Sequence, residues 1–407
     1  MNVKRTIPPA AAPLGFRDLA RGILGWWFGR RAITSFEQSI RLYFGVRHVF
    51  TVASGKAALA LILLALRDRA KRRKVIIPAY TCYSVPSAVL KAGLDLTLCD
   101  VDPATFDFEY SHLERIIDEE TLCIVPCHLF GISADMGRIR AMADRVGAVV
   151  VEDAAQAMGG TRDGRKLGTI GDVGFFSLGR GKNITCGSGG IIVTNSDQIA
   201  EALQRRYLKL KAPSVGATLG EWLKLLFMTI FINPNLYWFP AGLPFLRLGE
   251  TTFYRDFPIE RLSGMQGGLL SHWRTHLERS NQKRHDNGVY FRERINGGEA
   301  AGQEKWIPYL RFPILTRNRQ ERDGIFARSN ERGFGVSLMY PKAVHQIEEI
   351  IGRFRGEAFP SAEEIAARLV AIPTHSYVSS VDRERIRELI VAGPYTAAAS
   401  RIHQKSR

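Results

Sequence analysis

The segment 149–190 carries residue types that suit one particular chemistry. Three valines predict a buried strand, and the carboxylates of Glu152 and Asp153 follow them directly. A single lysine, Lys182, comes later within the small-residue run GRGKN. A lysine amine can form a Schiff base, and a buried carboxylate can keep a ring nitrogen protonated. The pair predicts a site for pyridoxal 5'-phosphate, with Lys182 as the catalytic residue and Asp153 at the ring nitrogen.

A second segment offers the donors that a phosphate group needs. The run ASGKA follows a predicted strand and opens a predicted helix, which is an anion-binding geometry. Gly55 allows a tight turn there, and the amides of Lys56 and Ala57 are expected to point at the phosphate. Ser177, shortly before the lysine, is the candidate hydroxyl. The turn alone is a weak signal, but its combination with the acid and the lysine is strong.

Three further side chains complete the candidate cofactor site. Gln156 lies one helical step after Asp153, where its amide is placed to hydrogen-bond the cofactor's ring hydroxyl. Tyr80 and Tyr83 follow another predicted strand in the run PAYTCYS, and either ring could stack on the cofactor. The sequence leaves the choice between the two tyrosines open.

Composition sets bounds on the class of protein. The 407 residues, 45% hydrophobic and 24% charged, suit a large soluble domain plus a smaller one. The net charge of +16 fits a solvated basic surface, or attraction to nucleic acid, an anionic membrane or a polyanionic substrate. The five cysteines are an odd number in apolar contexts, which favours a reducing compartment. No metal site is predicted, no convincing signal peptide is present, and we expect a cytoplasmic location.

The pattern of elements predicts how these residues are positioned. Short apolar runs alternate with helical patterns, which predicts an α/β fold with a mostly parallel sheet between helices. The predicted strands are 49–53, 75–78, 96–101, 123–126, 148–151, 175–178 and 190–194, and the predicted helices are 57–69, 84–92, 113–118 and 136–146. The predicted regions are an irregular N-terminal arm (1–30), a large cofactor-binding domain (31–203), an apolar interdomain segment (204–256) and a small α+β domain (257–407). In the last, helices are predicted at 263–284, 319–332, 362–370 and 383–391, and a strand at 306–315.

The interdomain segment contains two apolar runs, at 222–232 and 236–248. Neither reaches the roughly 18–20 residues of a membrane span. Two interpretations fit: a buried helical hairpin or dimer contact, and a peripheral membrane contact through 222–248, which the basic charge would favour.

The order of these motifs resembles the DegT/DnrJ/StrS family of sugar aminotransferases, which have the aspartate aminotransferase fold (fold type I). The resemblance is carried by VASGKAALAL, IIPAYTCYSVPSAV, VVVEDAAQAMGG, GDVGFFSLGRGKNITCGSGG and the late YPKAVH and IPTHSYVSSVD. It implies a homodimer with the active site at the subunit interface. It also implies a nucleotide-linked ketosugar as amino acceptor, and glutamate, or less often glutamine, as amino donor.

The chain departs from the family pattern at several positions. The usual SGT turn is SGK, with Lys56 in place of the threonine, and the usual aromatic residue after Thr81 is Cys82. The family's GEGG is GSGG, and the loop that reaches the partner's phosphate has no clean match near 255–264. Lys182 is retained, whereas relatives that dehydrate sugars have a histidine there, which favours amino transfer.

These observations predict an aminotransferase of cell-surface polysaccharide or glycan biosynthesis. One alternative is an enzyme of the same fold that acts on a non-sugar or lipid-linked ketone. Another is a cofactor-binding regulator that binds nucleic acid. The basic residues are scattered, and the run KRRK at 71–74 is the only tight cluster, so we expect no nucleic-acid binding.

Overall fold

The computed structural model describes residues 5–12, 14–243, 251–295 and 306–391. Seven of its strands form one sheet, and two more form a short hairpin within the same half of the chain. In chain order these strands are β1 (His48–Val52), β2 (Lys74–Pro78), β3 (Asp95–Cys99), β4 (Thr121–Ile124), β5 (Val149–Asp153), the hairpin β6 (Thr161–Arg162) and β7 (Arg165–Lys166), β8 (Val173–Ser177) and β9 (Gly190–Thr194). Each of the seven sheet strands overlaps a predicted one.

The sheet has the order β1-β9-β8-β5-β4-β2-β3, and only β9 runs against the other strands. The mostly parallel α/β architecture predicted for this half is therefore confirmed. Since β1, β2, β5 and β8 point the same way, their carboxyl ends lie at one edge of the sheet, where ligands of such folds bind. Asp153 ends β5 and Ser177 ends β8 at that edge.

Helices cover the sheet and build the rest of the molecule. They are α1 (Phe16–Phe28), α2 (Arg30–Phe44), α3 (Gly55–Arg67), α4 (Ser84–Lys91), α5 (Tyr110–Ile116), α6 (Met136–Val146), α7 (Asp197–Tyr207), α8 (Val215–Phe231), α9 (Trp238–Ala241), α10 (Gly264–Leu269), α11 (Trp273–Ile295), α12 (Arg319–Arg332), α13 (Pro360–Arg368) and α14 (Ser380–Val391). Helix α3 is apolar on almost every side because most of it lies inside the core.

The prediction of an irregular N-terminal arm is wrong for residues 16–28, which form α1. Two glycines lower the intrinsic helix propensity of this segment. The structure explains one of them: a Cβ on Gly25 would lie 2.5 Å from both the Gly264 carbonyl oxygen and the Gly268 Cα atom of α10. Close helix packing, which local sequence does not reveal, requires the glycine and stabilises the helix.

The elements after residue 257 differ from their prediction in detail. The helix expected at 263–284 is broken into α10 and α11. The strand expected at 306–315 is the shorter β10 (Arg311–Leu315), which pairs antiparallel with β11 (Leu369–Pro373). Leu369 and Val370 belong to β11 and not to the helix expected at 362–370, because α13 ends at Arg368. The predicted small domain also includes 296–305 and 392–407, which lie outside the described residues.

The first apolar run of the interdomain segment lies on α8, which is buried along one side only. Leu225 is fully buried, and the Trp222 indole N–H donates to the Leu19 carbonyl oxygen of α1 at 3.2 Å. The opposite side stays exposed at Leu223 and Phe227. No helix within the described ranges is long and apolar enough to cross a membrane. Residues 244–248 of the predicted membrane contact lie outside the described residues.

Candidate active site

Lys182 lies on the loop between β8 and β9, at the carboxyl edge of the sheet. Its amide donates to the Gly179 carbonyl oxygen at 3.1 Å, and its own carbonyl oxygen accepts from the Arg284 guanidinium at 3.2 Å. Burial lowers the pKa of the Lys182 ammonium, and the positive charge of Arg311 acts in the same direction. A lower pKa increases the share of neutral amine, which is the nucleophilic form.

Asp153 is buried at the end of β5, as the sequence predicts. One of its carboxylate oxygens accepts the Ala155 amide at 3.0 Å. Burial raises the pKa of the Asp153 carboxyl, although Lys182 and His128 oppose that shift. Across the described part of the chain the carboxylate forms no ion pair with a cationic side chain. A buried carboxylate without such a pair is costly, and a protonated pyridine nitrogen would supply the missing cation. The site therefore fits the cofactor.

The neighbouring carboxylate, Glu152, has a different role. It bonds the His128 ring at 2.8 Å and accepts the amides of Gly168, Ile170 and Gly171. These bonds use the carboxylate fully and hold the loop between β7 and β8. Of the two acids, Asp153 is the one left for a ligand.

The predicted phosphate-binding part of the site (the phosphate end) lies where α3 approaches β8 closely. A Cβ on Gly55 would lie 2.8 Å from the Ser177 Cβ and 3.0 Å from its Oγ, so only glycine fits there. The approach brings the Ser177 hydroxyl to the amino end of α3. The Ala57 amide donates to the Ser54 Oγ at 3.1 Å as a helix cap, which leaves the amides of Gly55 and Lys56 as unpaired donors within the described residues.

The side chain of Lys56 leaves the phosphate end. Its ammonium lies 4.7 Å from the centre of the Phe257 ring and 5.1 Å from that of the Tyr254 ring. Burial lowers the pKa of this ammonium. Lys56 is therefore held by cation–π contacts with the segment that follows residue 250.

Tyr80 and Tyr83 are both buried, and both bind the segment 339–342. The Tyr80 hydroxyl donates to the carbonyl oxygens of Met339 and Tyr340, and the Tyr83 hydroxyl bonds the backbone of Lys342 at 3.1 Å. These bonds fix both rings between the large domain and that segment. Which ring stacks on the cofactor stays a prediction.

Gln156 meets a residue that the site prediction did not include. Its Nε2 donates to the Tyr340 hydroxyl at 3.0 Å, and its Oε1 accepts the Phe130 amide at 3.1 Å. Cys82 lies beside the same hydroxyl, and burial raises the pKa of Tyr340 well above its usual value. In the sequence, Tyr340 could be noticed only as the first residue of the late run YPKAVH. The position of that run in the fold depends on long-range packing.

The comparison with known proteins follows from this geometry. The profile of the DegT/DnrJ/EryC1/StrS aminotransferase family matches residues 20–218 and 260–391. The chain belongs to this family. The resemblance stated from its motifs is thus confirmed, and so is the fold class.

Several relatives of this aminotransferase-family chain are named proteins. A dTDP-3-amino-3,6-dideoxy-α-D-galactopyranose transaminase from Aneurinibacillus thermoaerophilus is 26% identical over 90% of this chain and 91% of its own. A pleiotropic regulatory protein from Geobacillus stearothermophilus is 27% identical over 88% of each chain. The crystal structure of a sugar aminotransferase from Micromonospora echinospora, 24% identical, superposes with a TM-score of 0.76 over 95% of this chain and 100% of that one.

Two arginines that the sequence did not single out complete the wall of the site in this family member. Arg284 on α11 is fully buried and binds the carbonyl oxygens of Leu310, Ala11 and Lys182. It thereby ties the loop of Lys182 to the segment before β10 and to the N-terminal segment 5–12. Arg311, the first residue of β10, lies next to the same loop.

Proposed function

We propose that this chain is a pyridoxal-phosphate-dependent aminotransferase that moves an amino group from glutamate, or glutamine, to a nucleotide-linked ketosugar in cell-surface polysaccharide or glycan biosynthesis. One observation carries the cofactor assignment. The partly buried Lys182 and the buried Asp153 lie at the same edge of the sheet, and each influences the pKa of the other. The family and the printed names of the relatives support the reaction and the substrate class.

Each residue has a defined task in this proposal. When bound, pyridoxal phosphate supplies an electron sink. The sink makes the hydrogen on the carbon that carries the amino group acidic. The Lys182 Nζ would hold the cofactor at its reactive end and would move the proton at the donor's α-carbon. Asp153 keeps the proton on the ring nitrogen. The Ser177 hydroxyl, with the Gly55 and Lys56 amides, binds the phosphate.

The acceptor class rests on charge as well as on relatives. A nucleotide-linked sugar carries a diphosphate, and the net charge of +16 attracts such a polyanion. A lipid-linked or other ketone is the second candidate, because α8 exposes apolar side chains at Leu223 and Phe227. The regulator hypothesis has one point in its favour, the name of the relative from Geobacillus stearothermophilus.

The proposed function predicts a two-step spectroscopic experiment. The purified protein with pyridoxal phosphate should show the visible absorbance of a lysine-bound cofactor, and L-glutamate should remove that band. A UDP-, dTDP- or GDP-linked ketosugar, added after removal of glutamate, should restore the band and yield the aminosugar by mass spectrometry. Failure of every nucleotide sugar, together with restoration by a simple ketone, would reject the acceptor class. Absence of the first band would reject the cofactor.

We further propose that two copies of the chain associate in the cytoplasm and share their active sites. The support is an exposed apolar face formed by α1 and α8: Ile23, Leu24, Trp27, Leu219, Leu223 and Phe227. Large apolar side chains that stay exposed on two neighbouring helices favour a surface that is covered in the assembly.

The association predicts the mass of the protein in solution. We expect twice the chain mass of 45.5 kDa by light scattering, and half of that for the double variant Leu223→Asp and Phe227→Asp. Two buried carboxylates would oppose an apolar contact. Lys224→Ala, an exposed position on the same helix, is the control. If the double variant stays dimeric and loses binding to anionic lipid vesicles that the wild type retains, the face is a peripheral membrane contact instead.

A further inference from the structure

The N-terminal segment 5–12 lies against the wall of the site and is anchored at its start. The Thr6 amide donates to the Pro234 carbonyl oxygen, and the Ile7 amide donates to the Gly333 carbonyl oxygen, both at 2.8 Å. The Ile7 side chain is fully buried in one core cluster with apolar side chains of α11, β10 and β11. From residue 7 to residue 12 the sequence is IPPAAA, which brings no ionisable or nucleophilic side chain to the site. Any role of this stretch is therefore exerted through its backbone and its methyl groups.

The carbonyl oxygens of this segment accept hydrogen bonds from two fully buried side chains, His375 and Arg284. The His375 Nε2 donates to the Pro8 oxygen at 2.8 Å, and the Arg284 Nη2 donates to the Ala11 oxygen at 2.7 Å. Burial lowers the pKa of His375 to about 3 and that of Arg284 to about 9. Buried donors of this kind are costly to leave without acceptors. The N-terminal segment is therefore a fixed part of the wall.

Two contacts join the N-terminal segment to the loop that carries Lys182. The same Arg284 Nη2 that binds the Ala11 oxygen also donates to the Lys182 carbonyl oxygen, at 3.2 Å. A Cβ on Gly181 would lie only 2.7 Å from the Ala10 Cβ. The backbone of Gly181 is not in the left-handed region, so the closeness of Ala10, and not a torsion angle, requires glycine there. The segment thus rests directly on the residue before Lys182.

We propose that the N-terminal segment is a positioning element for Lys182: it fixes the loop so that the lysine amine meets the reacting atoms. The inference rests on the proposed function, which assigns the proton transfer to that amine. A shift of about 1 Å in a reacting group can slow a reaction by about 10²-fold, so a small displacement of the loop has a large effect on kcat. Ala10 and Ala11 offer no charged group to a substrate, so their displacement should change kcat and leave the KM for the amino donor nearly unchanged.

The first test is a double-variant cycle across the contact between Ala10 and Gly181. Gly181→Ala places a methyl group against the Ala10 Cβ, and Ala10→Gly removes that Cβ. The rate at which L-glutamate removes the visible cofactor band should fall by about 10²-fold when Gly181→Ala is made in the wild type, but by less than about threefold when it is made in Ala10→Gly. The KM for L-glutamate should stay within about threefold throughout.

Gly179→Ala is the matched control, because it changes the same loop away from the N-terminal segment. A Cβ on Gly179 would lie 3.5 Å from the Ser177 Oγ and 3.8 Å from the Lys182 Cγ. The loss of rate that this variant causes should be the same in the wild type and in Ala10→Gly, since no contact with Ala10 is involved.

A second readout needs no cofactor. In the cofactor-free protein, Gly181→Ala should lower the midpoint of thermal unfolding by about 2 °C or more, because the added methyl group overpacks the contact, and Ala10→Gly should cancel that shift. An equal loss of rate in both backgrounds, no loss at all, or a coupling seen in unfolding but not in rate would overturn the positioning role and leave the aminotransferase proposal intact. A wild-type protein that binds no pyridoxal phosphate would overturn both.

Discussion

Lys182→Ala is expected to abolish amino transfer while the protein stays folded. The variant removes both the covalent attachment of the cofactor and the amine that moves the proton, so we expect kcat to fall by on the order of 10⁴-fold or more. The visible band of the lysine-bound cofactor should disappear at the same time. Stopped-flow absorbance with L-glutamate measures both effects in one experiment.

The structure explains why this loss should be chemical and not structural. The contacts of Lys182 to Gly179 and Arg284 run through its backbone, which alanine retains. Burial of the ammonium is unfavourable, so removing it is not expected to destabilise the loop. An added primary amine such as ethylamine should restore part of the proton transfer in Lys182→Ala. Lys56→Ala, which changes the other lysine of the candidate site, is the control and should keep the visible band. If Lys182→Ala kept both the band and turnover, the assignment of Lys182 as the cofactor lysine would be rejected.

Much of the site was predictable because its signals are local. The strand that ends at Asp153 shows itself as a run of valines closed by acids, and the loop of Lys182 shows itself as glycines around one lysine. Both signals depend on neighbours in the sequence, and a parallel sheet then brings the strand ends together at one edge. Ser177 lies at the same edge, where the structure places it against Gly55.

The residues that were missed depend on contacts between distant parts of the chain. Arg311 begins a short strand of the small domain, and its neighbours Pro9 and Met339 come from the N-terminal segment and from a loop. Nothing in the sequence around Arg311 marks it as part of the site. Helix α1 was missed for a related reason, since its Gly25 is explained only by the helix that packs on it.

Asp153→Asn should have the second-largest effect, and its cause can be isolated chemically. Asparagine has nearly the same shape and can still accept the Ala155 amide, but it carries no negative charge to hold a proton on the ring nitrogen. Loss of one partner from a buried pair costs about 3–5 kcal/mol, and a loss of that size in the transition state would slow the glutamate half-reaction by roughly 10²- to 5 × 10³-fold. The measurement is the rate at which glutamate removes the visible band.

A cofactor with a permanent positive charge on its ring nitrogen tests whether loss of that charge causes the slower rate of Asp153→Asn. N-methylated pyridoxal phosphate cannot lose the charge on its ring nitrogen, so it should restore much of the rate in Asp153→Asn. Glu152→Gln is the matched control, because Glu152 is equally buried but is committed to His128 and to the loop between β7 and β8. That variant should lower the free energy of unfolding and gain nothing from the methylated cofactor. If the methylated cofactor restored neither variant, Asp153 would only support the fold, as Glu152 does. The assignment of Asp153 to the ring nitrogen would then be rejected.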